Sequence, residues 1–441
     1  MLSLYKSSLC DIIINTVSEN ENNQIHNFCL SMPHMLKYYQ NYLEKSDIIW
    51  QNIHPIDNYV DYNTLEFNDN LLDKCAVLKL NGGLGTTMGC NGPKALVEIR
   101  DNINFLEATI QQLYHYNTEN KCNIPLILMN SFNTEDETHE YISKYLNNRI
   151  NITSFTQNKF LKIDANTCLP IAKSLNVDKN MFYPPGHGDM FQSIKSSGML
   201  DKLLSQGIKY IFISNIDNLG ATFDNSILNY MIKHNYDFIM ELTNKTINDT
   251  KGGTVIRYNN QLKLLEASQV PKDKINEFSA IKLFNTNNIW INLEAIKLLD
   301  TNSINLDIIV NHKMYNNTNI IQLETAVGSA IKYFHSCCIN VPRTRFMPVK
   351  SSIDLFLLRS CFYELKNGYL KKIIDKPLPI INLPDSYKMI DCFEKYIKYI
   401  PDISKLNKLY INKGYIKFSN NKSICGDIII ENLNDNDIYE L

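Results

Sequence analysis

Apolar positions fall into two textures along this chain. Residues 35–45, Met-Leu-Lys-Tyr-Tyr-Gln-Asn-Tyr-Leu-Glu-Lys, space apolar side chains at helical intervals and predict an amphipathic helix. Asn and Asp clusters from Asp57 to Asn70 then predict an irregular connector. From Cys75 onward, short apolar runs are bounded by turn residues: Ala76-Val-Leu-Lys-Leu80, Pro125-Leu-Ile-Leu-Met129, Tyr210-Ile-Phe-Ile-Ser214 and Phe238-Ile-Met-Glu-Leu242. Helical patterns at residues 105–113 and 190–204 lie between them. That alternation predicts an α/β fold, a mostly parallel sheet flanked by helices. The pattern weakens after about Asp354, where Pro377, Pro379, Pro384 and Pro401 interrupt the chain. Short β-like pieces at residues 408–412, 415–418 and 427–430 close it. The expected organisation is a helical segment over 1–70, an α/β domain over 71–352 and a small, separate β-rich domain over 353–441.

Composition narrows the classes. The 441 residues are 44% hydrophobic and 20% charged, with a net charge of -2, which excludes wholesale disorder. A chain so balanced lacks the field of a general nucleic-acid or membrane-surface binder, though a small basic site for an anion is compatible with it. No apolar run approaches the ~18 residues needed to span a bilayer. Asp11 breaks what could have been a signal-peptide core, so a cytoplasmic protein is expected. The eleven cysteines form no CxxC pair and read as reduced thiols, the adjacent Cys337 and Cys338 included.

Five of the 16 glycines lie between Gly82 and Gly92, in Leu78-Lys-Leu-Asn-Gly-Gly-Leu-Gly-Thr-Thr-Met-Gly-Cys-Asn-Gly-Pro-Lys94. The segment follows a predicted strand, at the sheet edge where α/β proteins bind ligands. Positions without side chains let amides approach an anion closely, and Lys94 adds a full positive charge. A P-loop does not fit, because Pro93 separates Gly92 from Lys94 and Ala95 follows. The dinucleotide pattern does not fit either, since Gly83, Gly85 and Gly89 are spaced GxGxxxG. A tight strand-to-helix turn is the plain structural reading.

This loop resembles the nucleotide-binding loop of the eukaryotic UTP–glucose-1-phosphate uridylyltransferase family, the UDP-glucose pyrophosphorylases. Further matches recur in order. They are Pro184-Pro-Gly-His-Gly-Asp189, Ser214-Asn-Ile-Asp-Asn-Leu-Gly-Ala221, Lys251-Gly-Gly-Thr, Leu265-Glu-Ala-Ser-Gln-Val-Pro271, Phe284-Asn-Thr-Asn-Asn-Ile-Trp290 and Val341-Pro-Arg-Thr-Arg-Phe-Met-Pro-Val-Lys350. The resemblance runs from about residue 30 to 430. It implies a three-layer α/β/α nucleotide-sugar-transferase core (GT-A, Rossmann-like) and a shortened left-handed β-helix at the C-terminus.

The implied reaction joins UTP and glucose 1-phosphate into UDP-glucose and pyrophosphate by in-line attack on the α-phosphorus, reversibly and with Mg²⁺. Neutralising and aligning two anions then supplies most of the catalysis. By resemblance Lys94 meets the β- and γ-phosphates and Lys350 the α-phosphate, and both are expected to be catalytic. Leu80, Asn81, Gly82 and Gly83 are implied as the loop's substrate contacts, with Asn215, Ile216 and Asp217 opposite. Asp217, at a strand end, is the expected Mg²⁺ ligand; read alone, an Asp-Asn pair is equally a turn cap. Gln157 is the candidate reader of uracil, since its amide offers a donor and an acceptor. Gly186 would bring backbone to the base and His187 would bond the sugar phosphate or glucosyl group. Glu266 with Asn285, Thr286 and Asn287 carries the sugar assignment, although Asn-Thr-Asn-Asn is also ordinary loop composition.

The chain departs from the family pattern at Thr156-Gln157, Leu161-Lys162 and Ile247, which leaves the proposed ligands in place. A different sugar phosphate, a nucleotide-sugar sensor without chemistry and a glycosyltransferase of similar core are the competing readings. Asn81 and the Asn-Thr-Asn-Asn stretch argue for glucose. The retained Lys94, Asp217 and Lys350 argue for catalysis over sensing. Neither a nucleic-acid nor a membrane partner is expected, and self-association is left unassigned.

Overall fold

The computed structural model describes residues 1–17, 22–45, 48–67, 72–145, 150–246, 249, 252–301, 303–419, 422–431 and 434–441. Ile247 and Lys251 lie outside the described residues.

All four apolar runs form strands, Cys75–Asn81, Leu126–Asn130, Tyr210–Asn215 and Phe238–Asn244. They belong to an eight-stranded sheet in which parallel pairing dominates. The exception is Leu283–Asn292, which runs antiparallel between Tyr210–Asn215 and Phe238–Asn244. Alternate residues of each strand feed opposite faces. Val77, Leu128, Phe212 and Trp290 enter one core, while Leu78, Ile127, Ile213 and Ile289 enter the other. Helices such as Phe105–Asn120 and Met190–Ser196 cover these faces, completing a mixed α/β layered fold.

Three expectations change. The pattern over 190–204 is two helices, Met190–Ser196 and Met199–Ser205, because Gly198 sits between them at φ +73, a left-handed conformation that ends the first. The connector before residue 70 is not wholly irregular: Val60–Asp61 pairs in parallel with Ile339 and Asn340 and forms one edge of the main sheet. The C-terminal β-rich region is not separate in its packing either. Leu383, Phe393, Leu406, Ile416 and Phe418 share one continuous core with Phe105, Leu128 and Trp290. Its strands Ile380–Asn382, Asp402–Ile411 and Ser423–Ile430 pair in parallel, as do Tyr415–Lys417 and Ile438–Glu440.

All eleven cysteines are free thiols. Among the described residues no helix is long and apolar enough to cross a membrane.

A buried charge cluster fastens the sheet to the segment that leads to Lys350. Arg345 donates through Nε to Glu241 Oε2 at 2.7 Å and through Nη2 to Glu241 Oε1 at 2.6 Å, a two-pronged pairing. It also reaches Asp224 Oδ2 at 3.2 Å and the Thr222 carbonyl at 3.0 Å. Glu241 accepts further bonds from Asn288 and Trp290, at 3.0 and 2.9 Å. Burial disfavours the Arg345 charge, yet Glu241 and Asp224 more than offset it and raise its pKa. Removing one partner of such a pair leaves a buried charge uncompensated. Arg345→Met is therefore expected to lower the unfolding free energy by roughly 3–5 kcal/mol, read by urea denaturation. A loss below about 1 kcal/mol would contradict this role.

Candidate active site

The site forms where the parallel strands Cys75–Asn81 and Tyr210–Asn215 end side by side, the usual ligand edge of an α/β sheet. Past the first strand the glycine loop turns back on itself, and Lys94 N–H donates to the Gly83 carbonyl at 3.1 Å. Gly85 adopts φ +62, which favours glycine, and a Cβ there would meet Cys90 Sγ at 2.9 Å. A Cβ on Gly83, by contrast, would meet nothing within 4 Å, so bare backbone faces open space. At Gly82 the space of a Cβ is taken by Gln157 Nε2. The loop has no side chain there because the amide of another segment occupies that position.

Lys94 Nζ donates to Asp217 Oδ2, and both side chains are largely shielded from solvent. The other Asp217 oxygen, Oδ1, is buried and accepts no hydrogen bond from the described residues. An anionic oxygen in that condition calls for a partner. Among the described residues no group of three or more His, Cys, Asp or Glu side chains is arranged to hold a metal ion. The lone Asp217 Oδ1 is compatible with Mg²⁺, which is held by one or two carboxylates while substrate phosphates and water fill its other positions.

Asn215 and Asn287 are joined, Asn287 Nδ2 donating to Asn215 Oδ1 at 2.9 Å. This contact depends on a bulge. Glu241 pairs with Asn288 and Leu242 with Asn285, so Thr286 and Asn287 are extra residues on the antiparallel strand. Asn287 takes φ +58, and the Asn285 side chain accepts from its N–H at 2.9 Å. Thr286 faces inward instead; it is fully buried and donates to the Glu241 carbonyl at 2.7 Å. The Asn-Thr-Asn-Asn stretch is thus a bulge within a strand rather than a loop.

Gln157 is 7% exposed, and its Oε1 is a buried acceptor with no partner among the described residues. Asp189 holds this neighbourhood, accepting from Asn158 N at 2.7 Å, from Asn158 Nδ2 at 2.8 Å and from the Ser193 hydroxyl. Burial raises its pKa to about 6. Gly186, at φ +84, passes so close to Thr325 that a Cβ would lie 2.6 Å from its carbonyl oxygen. His187 Nδ1 accepts from Val327 N–H at 3.0 Å, which leaves the ring proton on Nε2 and makes that nitrogen a donor.

Glu266 caps a 3₁₀ turn together with Gln269. Burial raises its pKa, and the nearby Lys350 ammonium pulls the other way. Lys350 is exposed, with Nζ 5.8 Å from the Phe346 ring centre. Its backbone adjoins the Asp217 turn, since Val349 N–H donates to the Asp217 carbonyl at 3.2 Å. Leu80 and Ile216 are buried core residues. Asn81 is 1% exposed and its amide nitrogen is committed to Asn130 and Thr138, so it supports the loop from behind.

Asn218, Arg345, Glu241 and Lys79 have no role in the sequence pattern alone. Glu241 and Lys79 carried a signal, a lone charge inside an apolar strand. Lys79 is fully buried beneath the site, and donates to Ser214 Oγ at 2.9 Å and to the Ala221 carbonyl at 2.7 Å. Burial pushes its pKa down to about 7.

A family model described as UTP–glucose-1-phosphate uridylyltransferase matches residues 32–424. The UTP–glucose-1-phosphate uridylyltransferase 2 of Dictyostelium discoideum is 43% identical over 90% of this chain and 83% of its own. The enzyme of Encephalitozoon cuniculi is 46% identical over 87% of this chain and 79% of its own. Among solved structures, UDP-glucose phosphorylase of Trypanosoma brucei superposes with a TM-score of 0.83 at 34% identity, covering 98% of this chain and 97% of that one. A variant of the Leishmania major UDP-glucose pyrophosphorylase in complex with UDP-glucose gives 0.82 at 30% identity, covering 98% and 96%.

Burial lowers the His187 pKa from 6.5 to about 4. Its contribution to stability is present in full above pH 6.5 and is lost as pH falls from there toward 4, where the unfolded chain binds the proton first. The imidazole resonance missing from His187→Gln is expected to titrate near pH 4 in the unsubstituted protein. A midpoint of about 6.5, the value of an unperturbed ring, would contradict the assignment.

Proposed function

The chain belongs to the UTP–glucose-1-phosphate uridylyltransferase family, and from that premise we propose how its residues carry out the transfer. It is a uridylyltransferase, and its reaction is that of the family, UTP with glucose 1-phosphate giving UDP-glucose. On this reading the glucose 1-phosphate oxygen attacks the α-phosphorus in line, and pyrophosphate leaves from the opposite side.

The observation that carries the reading is the Asp217 carboxylate, one oxygen on Lys94 and the other buried without a partner among the described residues. Asp217 Oδ1 would hold Mg²⁺. The bound ion would neutralise phosphate charge and make the phosphorus more electrophilic. Lys94, freed from Asp217, would take the β- and γ-phosphates, and the open amides at Gly83 would cradle the chain of phosphates. Lys350 would meet negative charge as it develops at the α-phosphate, where a donor counts most.

Gln157 Oε1, an acceptor lacking a partner among the described residues, suits the N3–H of uracil, which cytosine does not offer. The His187 Nε2–H would donate to the sugar phosphate or glucosyl group. Glu266, Asn285 and Asn287 would supply the acceptors and amide donors that hexose hydroxyls require. We also read the parallel C-terminal coils as a left-handed β-helix.

Purified protein given UTP, glucose 1-phosphate and Mg²⁺ is expected to release pyrophosphate, and to stop when the metal is withheld or ATP replaces UTP. Turnover that persists in a chelator would contradict the metal assignment. Lys350→Ala is expected to lose on the order of 10²–10³ in kcat while UTP binding weakens modestly. Near-normal turnover would remove Lys350 from the mechanism.

A further inference from the structure

We propose that Asn218 is the positioning residue that sets Lys350 against Asp217. It does so by fastening the turn that bears the carboxylate to the segment that bears the lysine. The inference rests on the role given to Lys350 above.

Lys350 is exposed, and its long stem does not fix its own direction. Where its ammonium reaches is therefore set by where its backbone is held. Asn218 is 1% exposed, too buried to touch substrate, and every hydrogen-bonding capacity of its amide is used. Oδ1 accepts from Met347 N–H at 2.8 Å and from Gly220 N–H at 3.2 Å. Nδ2 donates to the Arg345 carbonyl and to Asn288 Oδ1, both at 3.2 Å. One side chain thus ties its own turn, the approach to Lys350 and the bulged strand that carries Asn285 and Asn287.

The two backbones confirm how closely they are drawn together. Asn218 and Pro348 form an isolated β-bridge, and Val349 N–H reaches the Asp217 carbonyl. A Cβ on Gly220 would lie 2.3 Å from the Thr344 carbonyl oxygen, so no side chain fits between them. Arg345 is anchored in turn by Glu241, which makes the far end of this connection rigid. The amide chemistry is specific. A carboxylate at 218 would lose both donors and add negative charge beside Asp217, and a hydroxyl would be too short to reach all four partners.

Steady-state pyrophosphate release tests this with Asn218→Ala, the milder Asn218→Ser, Lys350→Ala and the Asn218→Ala/Lys350→Ala double variant. Asn218→Ala is expected to lose about 10²-fold in kcat, as a small misplacement of a catalytic group does, with KM values nearly unchanged. The double variant is expected to match Lys350→Ala within about twofold, since the lysine whose placement Asn218 governs is already absent. A merely structural residue would slow both backgrounds by the same factor, and that multiplicative result would overturn the proposal. So would an Asn218→Ser protein that does not fold, because the residue would then serve the fold as a whole. Near-normal turnover in Lys350→Ala would instead defeat the reading of Lys350, and this inference with it.

Discussion

Opposite charges held in contact at one sheet edge are the condition on which this molecule turns. Lys94 and Asp217 come from distant parts of the chain and meet at the ends of adjacent strands. In water such a pair is worth little, but in a partly shielded cleft its charges remain available to a ligand that brings charges of its own. Family membership assigns reactants that are both anions. A chain with a net charge of -2 has no general positive field to gather them. On the reading proposed above, attraction is local, from Lys94, Lys350 and exposed amides of the glycine loop.

The frame behind those groups is made rigid by buried polar contacts rather than by apolar packing alone. Arg345, Glu241, Asn288 and Asn218 lie between the sheet and the arm that ends at Lys350. Such a network is costly unless each member is satisfied, and these contacts are mutually satisfying. It passes through the antiparallel strand, whose bulge also turns Asn287 onto Asn215. One irregularity thereby joins the antiparallel strand to the end of the parallel strand that leads into Asp217.

Much of this was legible in the sequence. The apolar runs at residues 76–80, 125–129, 210–214 and 238–242 mark strands because a sheet buried on both faces needs apolar side chains on both. The glycine cluster announced a backbone approach, and Gly83 and Gly85 now give its physical reasons. What local pattern could not give was long-range pairing. Nothing in Pro-Arg-Thr-Arg-Phe says that Arg345 is buried against a glutamate 104 positions away. Nor does Asn-Thr-Asn-Asn distinguish a loop from a bulge, since the same residues tolerate left-handed backbone in either. Gly198 split one helical pattern into two helices, because periodicity registers faces and not interruptions.

The most direct measurement is a crystal structure of this protein with UTP and Mg²⁺. In that complex Lys94 is expected to have left Asp217 for the terminal phosphates, Lys350 to lie within hydrogen-bonding distance of the α-phosphate, and Asp217 Oδ1 to coordinate the metal. A complex in which either lysine points into bulk solvent, or in which Asp217 keeps Lys94 and lies remote from the phosphates, would contradict that arrangement.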